Sequence, residues 1–459
     1  MSASSKAPVE YGVAPLRLEV SRRFSEFAAG VSFDDLPHPV RHECKRGILD
    51  WIGCALAGSR HATITTLLAG LRAAGSLERV SVIGRGLKLG LLEAAMANGQ
   101  MGHVLDFDDT HMDGVVLHTS SPSLAALLSA AVAEKRSGID LMTAYVVAFE
   151  AGVRVGKASP RHHDGGWHLT GTLGSIAAGV AVGRFLGLDP GRMNHTIGIA
   201  ATQAAGMQQN RGTMCKSFHA GKAAANGLLA GLLAREGFDS SEEIIEGRRG
   251  FSRIYSATSA PEALIDGLGE RWELAGNGYK PYACGIVLHS LIDGVIELRR
   301  RAIAPDQVER IELQVHPQAI RITGVVAPET GLQSKFSLYH SAAVAFLDGA
   351  AGVAQYTDAR AVAPDVVALR TRVHVRPEDA FRTDEAHATV VTRDGARHEA
   401  HVDHATGTHD NPMSDEAIEA KFQANAAPTV GEKRASEIAA TVWALDELAD
   451  ANALIELCA

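Results

Sequence analysis

The sequence predicts a mainly α protein, with a large helical domain, a smaller α+β domain, and C-terminal helices that can rejoin the first. Three observations predict it. From about Leu16 to Gly250 apolar residues recur at helical spacing, as in Ile48, Leu49, Ile52 and Leu56 and again in Leu124, Leu127, Leu128 and Ala131. After about Trp272 the texture changes to segments that alternate like half-buried strands. The last segment, EIAATVWALDELADANALIELCA, returns to helical spacing. The boundaries that follow are 1–269 for the first part of the helical domain, 270–405 for the α+β domain, and 406–459 for C-terminal helices rejoining the first part.

The elements follow in order. The first dozen residues read as a loose tail. Gly179, Gly183 and Gly187 recur every four residues, as do Gly227 and Gly231, which puts small residues on one helical face and lets neighbouring backbones approach. Arg184 and Arg235 sit too close to these rows for a membrane span. VERIELQV (308–315) and VALRTRVHV (367–375) read as strands, and ATVVTRDGARHEAHV (388–402) as a hairpin around Asp394-Gly395. IVLHSLIDGVIEL and LYHSAAVAFLDGAAG supply helices before and between them. Ser414 is placed to cap the helix DEAIEAKFQANA.

Composition narrows the function. With 459 residues, 46% of them hydrophobic, the chain can bury a large core. A net charge of -9 and the lack of a Lys/Arg-rich block argue against nucleic acid as a partner; a polyanionic small molecule would need a local basic pocket. Cys44, Cys54, Cys215, Cys284 and Cys458 form no CxxC pair, which suits neither a disulfide framework nor zinc or iron-sulfur ligation and points to a reducing cytoplasm. MSASSKAPVEYGVAPL has no apolar core of the signal-peptide kind, and no apolar run reaches the roughly 18 residues of a spanning helix, so no membrane partner is expected.

Candidate chemistry concentrates in four segments. NGQMGHVLDFDDTHMDGVVLHTS (98–120) packs Asp106, Asp108, Asp109, Asp113, Thr110, His103, His111 and His118 into one stretch. An acidic run is equally at home at a solvated helix end. Its flanks, Leu92 to Met96 and Leu124 to Leu128, are instead apolar and lead inward, where carboxylates need partners. GGWHLTGTLGS (165–175) sets His168 at a helix start, NRGTMCKSFHAGKAAANG (210–227) gathers Arg211, Lys216, His219 and Lys222 in a turn before a helix, and GYKPYACGIVLHS (278–290) places Lys280 at the domain junction, where small ligands usually bind. Asp106, His118, His168, Lys216 and Lys280 together would give acid/base groups beside fixed positive charge, as proton abstraction next to a carboxylate demands.

At these residues the chain resembles the MmgE/PrpD family, whose members include 2-methylcitrate dehydratase, cis-aconitate decarboxylase and iminodisuccinate epimerase. NGQMGHVLDFDDTH, GWHLTGTLGS, GTMCKSFHAGKAAANG, YKPYACG and KFSLYHSAAVAFLDG carry the resemblance, which runs from about residue 15 to 455. It implies a large all-helical domain formed by both chain ends, a lid role for the α+β domain, a homodimer, and a cofactor-free site between the domains that holds no metal. It also implies active-site positions at Asp106, Thr110, His118, His168, Lys216 and Lys280, with Lys335 in SKFSLYH as a further substrate-binding residue. The His residues and Asp106 are assigned to proton transfer and the lysines mainly to carboxylate binding. Ala283 stands where many relatives carry proline, and Pro122 lies three places later than usual after His118. The implied activity is a lyase acting on a di- or tricarboxylic acid. Dehydration of a 2-methylcitrate-like hydroxy acid leads, with cis-aconitate-type decarboxylation or iminodisuccinate-type epimerisation as alternatives.

Two readings from other classes compete. A magnesium-dependent isoprenoid synthase would hold metal through Asp108, Asp109 and Asp113, but a second Asp-rich motif is not found. A non-enzymatic helical scaffold would leave His118, His168, Lys216 and Lys280 far apart.

Overall fold

The computed structural model describes residues 18–459, so the expected N-terminal tail lies outside the described residues. The protein is mainly α. The site is positioned by helices α1 (His38–Gly58), α2 (Leu91–Val104), α3 (Ser120–Ala133), α4 (Gly138–Ala158), α5 (Leu169–Phe185), α6 (Met214–Arg235) and α7 (Asp415–Val430). Nearly every residue of α5 is buried, which its run of Gly, Ala, Val and Leu permits: a helix apolar all round belongs inside.

The glycine rows do the close packing expected of them. A Cβ on Gly227 of α6 would collide with Ala178 and lie 2.5 Å from the Gly179 nitrogen of α5, and one on Gly231 would lie 2.5 Å from Val182. Gly221 meets the Met96 carbonyl of α2 in the same way. The consequence is positional, because α6 is pressed so closely on α2 that Gln100 donates to Ser217 and to the Met214 carbonyl at 3.1 and 3.3 Å. The first turn of α6, with Lys216, thereby stands beside the C-terminal end of α2. Gly187 departs from the expected row: α5 ends at Phe185 and Gly187 takes φ 71° in the turn beyond it.

Strands β1 (Thr110–His111) and β2 (Asn277–Gly278) pair antiparallel as a short ribbon. β3 (Val308–Val315), β4 (Val373–Pro377), β5 (Ala386–Thr392) and β6 (Arg397–Val402) form a sheet of order β4-β3-β5-β6, parallel only between β3 and β4. The hairpin between β5 and β6 turns at Gly395, with φ 83°. One strand differs from expectation, since residues 367–370 belong to a helix, Pro364–Arg370, and extended structure begins only at Val373. Pro364 pre-sets helical φ at the first turn, and Val366, Leu369 and Arg370 bury one helical face.

Ser414 caps α7 by accepting the Ala417 N–H at 3.2 Å. Helix α7 lies on α1, where Phe422 packs so closely on Gly53 that a Cβ there would stand 3.1 Å from its ring. Beside this contact Lys421 Nζ pairs with Asp50 Oδ1 at 2.6 Å inside the core, and Asp50 Oδ2 accepts the Asp109 N–H at 3.1 Å. Among the described residues no helix is long and apolar enough to cross a membrane.

Candidate active site

Immediately after α2 the chain turns sharply. Asp106 has φ 51°, a left-handed conformation that Asp tolerates better than most residues and that costs about 1–3 kcal/mol where it is imposed. The turn aims its carboxylate at two lysines: Lys216 Nζ lies 3.2 Å from Oδ2 and Lys280 Nζ 2.6 Å from Oδ1. Lys216 comes from the first turn of α6, and Lys280 follows β2, which the Thr110–Gly278 pairing holds alongside β1. Burial alone would raise the Asp106 carboxyl, but Lys216 and Lys280 outweigh it and hold it well below the usual carboxylate range. Burial pushes the Lys216 ammonium down, with Asp106 opposing. One carboxylate facing two lysines leaves excess positive charge for an anion.

Three imidazoles stand next to this group. His118 Nδ1 lies 2.9 Å from the Asp109 carbonyl oxygen, so it carries the proton and donates; Thr110 Oγ1 is 3.1 Å and Asp108 Oδ2 3.5 Å from the same nitrogen. His168 stands at the residue before α5 and shares a 2.9 Å hydrogen bond with His219 through the two Nδ1 atoms. His103 lies between them, 4.6 Å from the His118 ring and 5.6 Å from the His168 ring, and its Nδ1 donates to Asp108 at 2.9 and 3.0 Å. Burial pushes His118 and His168 well down, with the lysines adding to the effect, so both rings are neutral near pH 7. Ligand atoms of His103, Asp108 and His118 lie within 4.8 Å of one another, a separation compatible with a metal ion. Their Nδ1 atoms and carboxylate are committed to hydrogen bonds, so the trio reads as an acid/base network.

Asp106, His118, His168, Lys216 and Lys280 line one cavity of about 270 Å³. Arg211 adds a further cation to its wall, while Val115, Ile286 and Ile322 supply apolar surface. This arrangement can bind a small polycarboxylate and move a proton. A scaffold requires these groups apart, and they are together.

The other expected residues fall in different places. Thr110 stands behind His118 as its hydrogen-bond partner. Lys335 borders a narrow adjoining cavity of about 10 Å³ with His103, Asp106 and Lys216. Its ammonium donates to the Leu105 and Ala283 carbonyls at 2.7 and 2.8 Å, which ties the two loops together. Burial pushes it down to about 8. Lys222 is exposed on α6.

The geometry does not fit the diphosphate-synthase reading. Asp108 faces His103, and Asp109 accepts from Asn277 at 2.7 Å and from Ser120, with burial and the neighbouring Asp50 pushing its carboxyl up. Asp113 lies 3.6 Å from Lys157 at the surface. The three carboxylates diverge and form no metal cradle. Sequence reasoning had named His103, Asp108 and His219 among its polar clusters but gave none of them a place in the acid/base site. The signal for the first two was available, since both fall within NGQMGHVLDFDDTH at a helix end.

The MmgE/PrpD N-terminal domain matches residues 22–264 and the MmgE/PrpD C-terminal domain residues 282–447. A cis-aconitate decarboxylase of Aspergillus terreus is 30% identical over 471 residues, covering 95% of each chain. The cis-aconitate decarboxylase of Mus musculus is 26% identical, covering 95% of this chain and 93% of its own, and that of Homo sapiens is 26% identical, covering 95% and 94%. With both family domains present in order, and a relative matched along nearly its whole length, the chain belongs to the MmgE/PrpD family.

Proposed function

We propose that the chain is a lyase that decarboxylates an unsaturated tricarboxylic acid of the cis-aconitate type, using its own side chains for acid/base chemistry. The observation that carries this reading is the pair of neutral imidazoles, His118 and His168, in one cavity with Lys216 and Lys280. In the reaction the C–C bond to the departing carboxylate breaks and its electron pair forms a new C=C. The pair of the former C=C takes up one proton at the carbon next to the far carboxylate. The developing enolate-like charge on that carboxylate is what the lysines stabilise. A bound polyanion raises the proton affinity of His118 and His168, so either can deliver the proton.

Dehydration of a 2-methylcitrate-like acid uses almost the same groups and led on sequence alone. The cis-aconitate decarboxylases among the relatives move the preference to decarboxylation. The reading extends to a lid role for the α+β domain, a homodimer and a cytoplasmic setting, the last supported by five free cysteines. Sedimentation as a monomer at micromolar concentration would contradict the dimer.

The test is proton NMR of the purified protein with cis-aconitate, 2-methylcitrate, citrate and iminodisuccinate, repeated with His118→Ala and Lys216→Ala. Loss of CO₂ from cis-aconitate, abolished in both variants, is the expected result. Loss of water from 2-methylcitrate with cis-aconitate untouched would replace decarboxylation by dehydration.

A further inference from the structure

Asp108 is fully buried, and its carboxylate faces two imidazoles at once. Nδ1 of His103 donates to it at 2.9 and 3.0 Å, Nδ1 of His118 lies 3.5 Å from Oδ2, and Ser121 Oγ donates to the same oxygen at 2.8 Å. His118 Nδ1 is in addition 2.9 Å from the Asp109 carbonyl oxygen, which can only accept. Both rings are therefore protonated on Nδ1, which leaves Nε2 as the nitrogen with a free lone pair on each. For His103 that nitrogen is buried and has no hydrogen-bond partner among the described residues.

We propose that Asp108 is a positioning residue for proton transfer, acting through His118 and His103 to fix which imidazole nitrogen faces the substrate. This rests on the reading above that imidazoles move the proton. A carboxylate behind a histidine holds the tautomer and stabilises the imidazolium that forms when the far nitrogen gains a proton. The His118 imidazolium would be faced by Asp106, Asp108, His103, His168, Lys216 and Lys280. Of the two carboxylates in this set, Asp106 already faces both lysines, and Asp108 stands on the Nδ1 side. Burial would raise the Asp108 carboxyl, but the two imidazoles hold it below the usual range, so it is ionised for this role.

Two experiments test the proposal separately from the choice of substrate. Long-range proton–nitrogen NMR of the full chain labelled at histidine nitrogens should show His103 and His118 as Nδ1–H tautomers. An Nε2–H tautomer at His118 overturns the proposal whether or not a substrate is known. The second is the pH–rate profile of Asp108→Asn, which keeps the shape of the side chain and removes the charge. Loss of the orienting carboxylate in a hydrolase triad costs about 10⁴ in kcat. Here kcat should fall by about 10²–10⁴ with KM within a few-fold, and the acid limb should move to lower pH as His118 loses its counter-charge. A kcat near wild type, or a lowered active fraction with the limb unmoved, shows a merely structural role and overturns the proposal. If Asp108→Asn does not fold, the tautomers of the unmodified chain decide. If the unmodified chain turns over none of the four acids, that failure belongs to the decarboxylase reading alone.

Discussion

Lys280 grips Asp106 at both ends, donating to its carboxylate at 2.6 Å and to its own backbone carbonyl at 3.1 Å. A residue at φ 51° is thus held by a lysine from beyond β2, which couples the strained turn to the loop that begins the second half of the chain.

Lys280→Met should therefore affect chemistry and geometry together. Removing one donor to developing charge typically costs about 10²–10³ in kcat. Lys280→Arg should not restore the rate, because the larger planar guanidinium does not fit the fully buried slot that holds a compact ammonium. Steady-state decarboxylation in the NMR assay measures both, and wild-type rates in the methionine variant would contradict the assignment.

The buried pair at the other end of the site gives a stability prediction. Lys421→Met leaves Asp50 in the core without its counter-charge, and breaking such a pair costs about 3–5 kcal/mol. The double change Asp50→Asn with Lys421→Met should recover part of that loss. Denaturant midpoints of the two variants settle the comparison.

Glycines provide a matched test of packing. Gly227→Ala must push α5 and α6 apart and should cost about 1–3 kcal/mol. Gly70, in the exposed helix Ala62–Ala74, has nothing within 4 Å of an added Cβ, so Gly70→Ala should stabilise by about 0.5–1 kcal/mol. Opposite shifts in thermal midpoint are expected, and shifts of the same sign would refute the argument.

Lys335 predicts a pH dependence. In the unfolded chain a lysine keeps its proton up to about pH 10.4, whereas in the fold burial lowers this to about 8. Below pH 8 both states are protonated and the full cost of burying the charge is present. From pH 8 to about 10.4 the unfolded state binds more protons, so this group makes stability rise with pH across that window. Lys335→Met should remove the rise, seen as a smaller gain in denaturant midpoint from pH 7.5 to 9.5 than in the unchanged protein.

Much of this was legible in the chain, and the exceptions have physical reasons. The rows Gly179–Gly183 and Gly227–Gly231 revealed a backbone contact because spacing on a helix determines the face. Residues 308–315 alternate over eight positions and form a strand, whereas VALR at 367–370 is too short for its period to be read and follows Pro364, which starts a helix. Asp106, His118, His168, Lys216 and Lys280 each stood out as polar groups set among apolar flanks. Asp108 and His103 lay in the same cluster, but their pairing was not legible, because the turn at Asp106, rather than any spacing, decides which carboxylate meets which ring. Lys421 reads as a solvated helix lysine until its helix is laid on α1, a contact between opposite ends of the chain.

That last contact bears on how the protein is made. Asp50 holds the Asp109 N–H with one oxygen and Lys421 with the other, so the floor beneath the acidic segment is finished by a residue near the C-terminus. A ribosome translating this chain has produced every acid/base group of the cavity well before it reaches Lys421. Until that residue emerges, Asp50 has no counter-ion to be buried with, so the floor of the cavity can close only once α7 has been made.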